Sequence, residues 1–375
     1  MLSFYLIWSL SYLLLLAWLA RFWPAKSQKE GQGQLGEITL LIPFRNEIRN
    51  AGKLAKSLIH LSKSTVQILL VDDHSEDESF IFLSEALKDY PNIRLVRSPR
   101  PGKKAAVEFG VSLARTELIV CSDADCSWSD FWLPSMVLPF QDPGIQFVAG
   151  PVLVQASPAF LSQFQQWDWG SILLLTQAGF AKQNPLMCSG ANIAYRKSAF
   201  AGVEGYAGNR HFSSGDDEFL LKKMVERYGA ASCVYLTHTD SLVFTTPEEN
   251  WKALLRQRVR WAGKWRAKGS LSNGIAAGLV FVIQMLWIGS FGLLWLGLHG
   301  VLVFVFVWGI KFLGEKLALG KVLSSFKVYP GWFSLMKTTF AHPFYALAVG
   351  LGAIGGKFTW KGRQNARSVN LESEI

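Results

Sequence analysis

The sequence predicts an α/β domain with a mostly parallel sheet, preceded by one apolar transmembrane helix and followed by two to three more. Short apolar runs alternate with helical spacing between about residues 38 and 235, and longer apolar stretches lie on either side. The composition agrees, because 50% of the 375 residues are hydrophobic and only 18% are charged, below the roughly 25% of a typical soluble domain. This composition excludes a disordered chain, a disulfide-stapled miniprotein and a purely soluble nucleic-acid-binding protein.

The N-terminal segment, residues 1–24, is predicted to be a transmembrane anchor. Residues 1–20 contain no charged side chain, and about 20 residues at about 1.5 Å each cross the hydrocarbon core. A cleaved signal peptide would need a positively charged start and a shorter apolar stretch followed by small residues, which this segment lacks. Arg21, Lys26 and Lys29 follow the anchor, so the positive-inside rule places the next domain in the cytoplasm. The four cysteines form no C-x-x-C pair, so free thiols in a reducing compartment are expected.

A second membrane region is predicted over residues 274–356. It contains a span at 275–298, a turn at His299 and Gly300, a shorter return at 301–313, an interfacial stretch with Lys316, Lys321 and Lys327, and an apolar stretch at 331–356. Three full spans would leave the tail, 357–375, outside the cell. The tail is basic and then acidic, and its cations favour the inside, so the number of spans stays open.

Between the membrane regions, four short apolar runs are predicted as strands buried on both faces. The strands cover residues 38–42, 68–71, 93–96 and 118–121, and helical spacing covers 47–62, 77–89 and 103–114. Strand–helix–strand repeats produce a parallel sheet with right-handed crossovers. Ligands of such sheets bind beyond the carboxyl ends of the strands, so those ends are the first place to look for a site.

Three of these strand ends are polar. They read Pro43-Phe44-Arg45-Asn46-Glu47, Asp72-Asp73-His74-Ser75 and Ser122-Asp123-Ala124-Asp125. Each alone could be a solvated loop or a helix cap, but three at one sheet edge indicate a site. Asp123 and Asp125 point to the same side, and at about 4 Å their repulsion would cost about 1–4 kcal/mol. A divalent cation removes that cost, and Mg²⁺ or Mn²⁺ held by one or two carboxylates completes its shell with phosphate oxygens.

The ordered set of motifs resembles family 2 inverting glycosyltransferases with the GT-A fold. In chain order the motifs are IPFRNE, VDDHSED, GKKAAVEFG, SDADC, CSGANIAYRKSAF, SGDDEFLL and QRVRW. The resemblance is to the membrane-bound branch with Q-x-x-R-W, which includes cellulose, chitin and hyaluronan synthases and ceramide glucosyltransferases. It covers about residues 37–268, and it implies a GT-A domain at 37–249 and an amphipathic interfacial helix at 250–268.

The resemblance also implies roles for individual residues. The nucleotide-sugar pocket would be lined by Pro43, Arg45, Glu47, Asp72, Asp73, Lys103, Lys104 and Asp123. Asp125, together with Asp123, would bind the divalent cation, Mg²⁺ or Mn²⁺. The acceptor and diphosphate side would be formed by Gly190, Ala191, Asn192, Asp216, Gln257, Arg260 and Trp261.

Asp217 is the residue that matches the general base of the family. Inverting transfer is a single displacement that needs one base for the acceptor hydroxyl and stabilisation of the departing diphosphate. The family often has Glu where this chain has Asp216, which leaves the choice between Asp216 and Asp217 open. Without the family order, the acidic run at 215–218 would equally be a helix N-terminus, where carboxylates complement the helix dipole.

The segment 251–265 predicts an amphipathic helix with alternating tryptophans and cations at a membrane surface. Gln257, Arg260 and Trp261 share one face because they are spaced i, i+3 and i+4. In the family this face roofs the active site, with the tryptophan against the acceptor and the arginine near the diphosphate. The two interpretations are compatible, and together they favour an amphipathic acceptor at bilayer depth. The net charge of +10 lies largely beside the spans, so no nucleic-acid partner is expected.

The leading hypothesis is an integral protein of the inner or cell membrane with a cytoplasmic catalytic domain. It would transfer a sugar from a nucleotide diphosphate sugar, UDP-linked by resemblance, to a lipid or lipid-like hydroxyl. A processive polysaccharide synthase is the first alternative, although a secreted polymer usually needs more spans. A membrane-tethered phospho-accepting regulatory module, suggested by VDDHS, is the second. That module would be about half as long and would not use Asp217 or the Gln257–Trp261 face.

Overall fold

The structure is a computed structural model, and it describes residues 1–24, 37–62, 66–210, 215–267, 271–355, 359–360 and 363–364. The chain divides into two compact units. The first unit comprises Met1–Trp23, Ala156–Leu174 and Pro247–Ile375, and the second comprises Pro24–Gln155 and Leu175–Thr246. Most of the predicted tail lies outside the described residues, and the domain boundaries inferred from the sequence remain predictions.

The helices and strands are numbered in chain order. The helices are α1 (Leu2–Ala20), α2 (Ile48–Leu61), α3 (Ser79–Leu87), α4 (Lys103–Leu113), α5 (Trp132–Val137), α6 (Phe160–Ala181), α7 (Lys197–Gly202), α8 (Asp216–Tyr228), α9 (Trp251–Ala267), α10 (Leu271–Gly289), α11 (Gly297–Ser325) and α12 (Trp332–Gly355). The strands are β1 (Ile38–Phe44), β2 (Gln67–Asp72), β3 (Ile93–Arg97), β4 (Leu118–Cys121), β5 (Ser127–Trp128), β6 (Phe147–Ala149), β7 (Val152–Val154), β8 (Ile193–Arg196), β9 (Cys233–Tyr235), β10 (Val243–Thr245), β11 (Thr359–Trp360) and β12 (Arg363–Gln364).

The second unit is built on a seven-stranded sheet in the order β3-β2-β1-β4-β8-β6-β9. The four predicted strands are confirmed as β1 to β4, and they pair in parallel. The predicted burial on both faces is wrong for β3, which is partly exposed because it is the edge strand. β8 is antiparallel to both β4 and β6, and β9 returns to the parallel direction beside β6. A smaller three-stranded sheet has the order β5-β10-β7. The fold class is therefore mixed α/β with a mostly parallel central sheet.

The start of α4 is held over the carboxyl end of this sheet by close packing. A Cβ added at Gly110 would lie 2.2 Å from Cδ1 of Leu41 in β1, so only a glycine allows α4 to approach so closely. Leu41 is fully buried, as expected for a strand covered on both faces. This packing places the first residue of α4, Lys103, next to the strand ends that the sequence predicts to be functional.

In the first unit, α1 and α11 pack side by side and run in the same direction. Tyr12 donates to the Glu315 carboxylate at 3.2 Å, and Trp23 donates to the Ser325 hydroxyl at 3.1 Å, so contacts advance along both helices together. Three helices are long and apolar enough to cross a membrane, counting only the residues that the structure describes: Leu2–Ala20, Gly278–Trp295 and Gly297–Ser325. One lies at the N-terminal end and two lie in the C-terminal region.

The predicted turn at His299 and Gly300 is wrong, as is the short return at 301–313. α11 is one continuous helix of 29 residues, and the chain turns earlier at Gly297, whose φ of +67° suits a glycine. Gly300 serves close packing instead, because a Cβ there would lie 2.0 Å from the Leu293 carbonyl oxygen. Of the lysines that suggested a separate interfacial stretch, Lys316 and Lys321 lie in this same helix, and Lys327 follows its end.

Candidate active site

The two aspartates that end β2 have different partners. Asp72 accepts the Ser75 backbone N–H at 2.9 Å and the Arg97 guanidinium at 2.8 Å, so it holds the loop and the neighbouring strand. Asp73 accepts the Gly102 backbone N–H at 2.6 Å and so ties the end of β2 to the turn before α4. Gly102 has a φ of +114°, a conformation that favours glycine. Both carboxylates are buried.

Arg45 connects the ends of β1 and β2. Its guanidinium is buried and donates to the backbone carbonyl of Asp73 at 3.0 Å and to that of His74. It also forms an ion pair with Glu76 at 2.9 Å. Arg45 therefore shapes this edge of the predicted nucleotide pocket through main-chain contacts.

Pro43 and Glu47 flank that arginine. Pro43 lies within β1 opposite Val71 of β2. Glu47 precedes α2 and accepts the Asn50 side-chain amide at 2.7 Å. Both residues lie at the predicted sheet edge.

Lys103 is the centre of an acidic cluster. Its ammonium donates to the Asp123 carboxylate at 2.7 Å and forms an ion pair with Asp216 at 3.2 Å. Burial would lower the pKa of Lys103, but the carboxylates of Asp123, Asp216 and Asp217 outweigh burial, and the pKa is raised well above its usual range. Lys103 is therefore a permanent cation at neutral pH, placed between strand β4 and the start of α8.

Asp217 is fixed by two backbone hydrogen bonds. One carboxylate oxygen accepts the Gly190 N–H at 2.9 Å, and the other accepts the Glu218 N–H at 2.8 Å. Its side chain is 9% exposed, and it lies in the first turn of α8, where the helix dipole favours the ionised carboxylate. The two backbone bonds therefore fix the orientation of the carboxylate.

Gly190 allows this arrangement because there is no space for a side chain. A Cβ at Gly190 would lie 3.0 Å from the Asp216 carboxylate and 3.5 Å from the Lys103 ammonium. Asp216 differs from Asp217 in that it is paired with this lysine. The geometry therefore distinguishes the two candidates for the base: Asp216 forms an ion pair with Lys103, whereas both oxygens of Asp217 accept backbone N–H groups.

Asp123 and Asp125 follow β4, as predicted. Asp125 accepts the Thr245 hydroxyl at 2.9 Å, and Asp123 is 34% exposed beside Lys103. Burial, together with the carboxylates of Asp125 and Asp123, raises the pKa of the Cys126 thiol well above its usual range. Within the described part of the chain, no group of three or more His, Cys, Asp and Glu side chains could hold a metal. Hard carboxylate oxygens from one or two residues still fit Mg²⁺ or Mn²⁺, because diphosphate and water usually complete the shell.

Lys104 points away from this cluster. Its ammonium donates to the Asn209 carbonyl at 2.7 Å and lies 4.7 Å from the centre of the Phe219 ring. Adjacent residues of a helix diverge by about 100°, so only one of the two lysines can face the acids.

Asn192 and Ala191 support the loop after α6. Asn192 is fully buried and donates to the carbonyls of Pro151 and Ser241, both at 2.8 Å. The carbonyl of Ala191 accepts the Ser122 hydroxyl at 3.0 Å. These contacts hold Gly190 in position. The side-chain amide of Asn192 donates both of its hydrogen bonds to backbone carbonyls.

The Q-x-x-R-W segment lies in α9, within the first unit. Gln257 donates to the Glu248 carboxylate at 2.7 Å. Trp261 packs edge-on against Trp169 of α6, with ring centres 5.4 Å apart. Arg260 is half-buried. This face therefore has partners of its own on α6 and in the segment before α9.

The sequence analysis missed the buried ion pair between Asp168 of α6 and Arg258 of α9. Two nitrogens of Arg258 donate to one Asp168 oxygen at 2.9 and 2.7 Å, and His342 of α12 lies 3.5 Å from the other oxygen. The two paired side chains are 8% and 7% exposed. Burial would raise the pKa of Asp168, but Arg258 and His342 outweigh it, and the pKa is lowered.

Arg258 also lies over the indole of Trp261, with its central carbon 4.2 Å from the ring centre.

The sequence contains a signal for the Asp168–Arg258 pair, because Asp168 is the only charged residue in the 22-residue helix α6. A lone carboxylate in such a helix needs a partner when it is buried. The cation that supplies it is 90 residues away in the sequence, and spacing alone does not identify it.

The second unit therefore joins Asp73, Lys103, Asp123, Asp216 and Asp217 through direct contacts or adjacent backbone, with Asp125 beside Asp123. The sequence also predicted Asp72, Lys104 and Asn192 for the site. Their side chains instead form hydrogen bonds that hold the fold together. Gln257, Arg260 and Trp261 belong to the first unit.

Comparison with known proteins agrees with the resemblance seen in the motifs. Residues 39–203 match the model of glycosyl transferase family 2. A beta-monoglucosyldiacylglycerol synthase from Nostoc sp. strain PCC 7120 is 31% identical over 245 residues, which cover 64% of this chain and 51% of that protein. A dolichyl-phosphate beta-glucosyltransferase from Trichomonas vaginalis is 32% identical over 97 residues, covering 24% of this chain and 30% of that protein.

A solved structure shares the fold over nearly the whole chain. It is a mannosyltransferase from Pyrobaculum calidifontis in complex with GDP-Man and Mn²⁺, with a TM-score of 0.58 and 15% identity, covering 94% of this chain and 96% of that one. The chain spans about half the length of the first curated relative it matches, 51%. Residues 39–203 are therefore a glycosyltransferase family 2 domain, set in a GT-A fold.

Proposed function

We propose that this protein is a membrane-bound inverting glycosyltransferase that moves a hexose from a nucleotide diphosphate sugar to the hydroxyl of a lipid. The observation that carries the proposal is the cluster around Lys103, where a half-buried cation contacts Asp123 and Asp216 next to the backbone-held Asp217. An acceptor hydroxyl needs a base and a departing diphosphate needs positive charge, and this cluster supplies both.

Asp217 is the proposed base. Its two backbone hydrogen bonds orient the carboxylate, so it can take the proton of the acceptor hydroxyl as the new glycosidic bond forms. The bond between the anomeric carbon and the diphosphate breaks in the same displacement, and the electron pair leaves on the diphosphate oxygen. General-base catalysis of this kind typically contributes about 10²–10⁴-fold to the rate.

Lys103 is the proposed protein cation at the leaving group. It is positioned by the close approach of α4 to β1, and the acids around it keep it protonated. A preorganised charge costs no reorganisation when negative charge develops on the diphosphate. Asp73, which fixes the turn before Lys103, is proposed to line the nucleotide pocket.

Asp125 and Asp123 are proposed to hold a divalent cation together with the diphosphate. When bound, such an ion would neutralise phosphate oxygens and support the leaving group. The carboxylates offer hard oxygen donors, and the structural neighbour was solved with Mn²⁺. A UDP-linked donor is proposed from the resemblance of the motifs.

A lipid acceptor is supported by two independent features. The two relatives described above are named for transfer to diacylglycerol lipids and to dolichyl phosphate. Among the described residues, three helices could cross a membrane, fewer than a secreted polymer usually requires. Trp261, which contacts Trp169 and Arg258, is proposed from the resemblance of the motifs to face the acceptor.

The test is to incubate membranes containing the full chain with a panel of labelled sugar nucleotides. We expect one labelled sugar to enter the organic extract, where mass spectrometry identifies a glycolipid, and we expect chelation of divalent cations to abolish the product. A long water-soluble polymer would favour a polysaccharide synthase. No sugar transfer from any donor would contradict the proposal.

A further inference from the structure

The three-stranded sheet β5-β10-β7 lies beside the proposed metal ligands. Its first strand, β5, begins at Ser127, two residues after Asp125. β10 runs antiparallel to β5, with Phe244 opposite Ser127. Continuing this register along β10 brings Thr245 and Thr246 next to the backbone of Asp125. The small sheet therefore carries two hydroxyl groups to one of the carboxylates that the proposed function uses.

The two threonines make different contacts with this carboxylate residue. The Thr245 hydroxyl donates to the Oδ2 atom of Asp125 at 2.9 Å, whereas the Thr246 hydroxyl lies 3.5 Å from its backbone carbonyl, a long contact for a hydroxyl donor. The Cys126 thiol lies 3.7 Å from the Oδ1 atom of Asp125, and a thiol is a weak donor. Thr245 is half-buried and Thr246 is exposed. The hydroxyl of Thr245 is therefore the better placed of these three groups to orient the Asp125 side chain.

The backbone that carries Thr245 is fixed by its neighbours. On the β7 side, the Gln155 N–H donates to the Thr245 carbonyl at 3.0 Å. The segments that lead into β7 and β10 are held together by Asn192, whose side-chain amide donates to the carbonyls of Pro151 and Ser241. A β-branched side chain such as threonine also has few χ1 rotamers. The hydroxyl is thus held in position by the sheet.

We propose that Thr245 is a positioning residue for the divalent cation, and that it acts by orienting the Asp125 carboxylate. The inference rests on the proposed function, in which Asp125 and Asp123 hold the ion. Carboxylates that bind a metal are themselves hydrogen-bonded, and loss of such an outer partner typically costs about 10–100-fold in metal affinity or activity. Asp123 has a partner of another kind, the Lys103 ammonium, so the two proposed ligands are oriented by different groups.

Binding of Mn²⁺ to the purified full chain tests this role without measuring sugar transfer. Free Mn²⁺ is measured by electron paramagnetic resonance in the presence of UDP, with a protein-free UDP sample as the blank. Thr245→Val removes the hydroxyl and keeps the β-branch, and we expect it to weaken Mn²⁺ binding about tenfold. Thr245→Ser restores a hydroxyl at the same position and should recover most of the lost affinity.

Thr246→Val is the matched control, because it removes the neighbouring, exposed hydroxyl. Its affinity for Mn²⁺ should equal that of the wild-type protein. Equal losses of affinity in Thr245→Val and Thr246→Val would overturn the proposal, because they would indicate a general disturbance of the small sheet.

Asp125→Ala, measured in the same way, separates this inference from the proposed function. Weakened binding in Asp125→Ala with normal binding in Thr245→Val would overturn the role of Thr245 and leave the proposed metal site in place. Normal binding in both variants, or no Mn²⁺ binding by the wild-type protein, would overturn the metal site as well.

Discussion

The two units each contain a charged cluster, and the clusters are built on opposite principles. In the cluster around Lys103, a single ammonium group interacts electrostatically with the three carboxylates of Asp123, Asp216 and Asp217. Negative charge is therefore in excess among these four side chains. Around Arg258, one cation is matched to one carboxylate, and both are almost completely buried. An unbalanced cluster is stable only if something else brings positive charge, whereas a matched pair is complete as it stands. We therefore interpret the cluster around Lys103 as the proposed catalytic site, and the Asp168–Arg258 pair as a contact that positions one face of α9.

The largest effect is expected at Asp217. Asp217→Asn should lower kcat by at least about 100-fold, the lower end of what a general base contributes, because the amide cannot accept the acceptor proton. Donor binding should stay roughly unchanged, since both carboxylate oxygens accept backbone N–H groups of the protein.

The control for this variant is Asp216→Asn, which removes a partner of Lys103 and leaves the proposed base in place. Sugar transfer and donor binding are measured on the same preparations. A larger loss of kcat in Asp216→Asn than in Asp217→Asn would assign the base to Asp216.

The matched pair should matter most for stability. Asp168→Asn leaves Arg258 buried beside a neutral partner, and breaking such a pair costs about 3–5 kcal/mol. Chemical unfolding of the purified chain measures this loss. The double variant Asp168→Leu with Arg258→Met should recover much of it, because apolar residues of similar volume often replace a buried pair without cost.

Activity then separates stability from positioning. The stable double variant lacks the guanidinium over Trp261, so we expect a raised KM for the acceptor with an unchanged KM for the donor. Full recovery of both stability and acceptor KM would show that the pair only stabilises the fold.

At the unbalanced cluster, Asp125→Ala should weaken Mn²⁺-dependent nucleotide binding by at least about tenfold, as even outer partners of a metal site cost 10–100-fold. The matched control is Asp130→Ala, an exposed acid on the same segment. Titration of nucleotide binding with Mn²⁺ measures the effect. An unchanged titration in Asp125→Ala would remove this residue from the proposed metal site.

The smallest effect concerns pH. Since the pKa of Asp168 is lowered in the folded protein, its contribution to stability is present above the unfolded value of about 3.9 and is lost as pH falls through the lowered pKa. The difference in unfolding free energy between the wild-type protein and Asp168→Asn should therefore be constant from about pH 8 to about pH 5. A difference that disappears already near pH 6 would show that Asp168 is not held ionised by Arg258.

Much of the sheet could be predicted because burial on both faces leaves an uninterrupted apolar run. β1, β2 and β4 have such runs, and their polar ends identified the edge where the site lies. β3 lies at the edge of the sheet, reads IRLVR and is only partly buried. β6 and β9 have three residues each, too short for any periodicity, and their place in the sheet depends on long-range pairing.

The sequence predicted many of the residues of the candidate site, but it did not predict which of them contact one another. The sequence offered Lys103 and Lys104 equally, and only the direction of α4 decides that Lys103 meets the acids. Asn192 belongs to a motif of the family, yet its side-chain amide donates its hydrogen bonds to buried backbone carbonyls of the protein. The Asp168–Arg258 pair joins helices that are distant in sequence, which no local pattern specifies.

The central claim is that one carboxylate, Asp217, deprotonates the acceptor in a single displacement at the anomeric carbon. The most direct test is the anomeric configuration of the purified product, measured by proton NMR coupling constants after transfer from a donor of known configuration. The account predicts inversion of the donor's configuration in every product molecule. Retention would require two successive displacements and a nucleophile on the enzyme, and it would contradict the role proposed for Asp217.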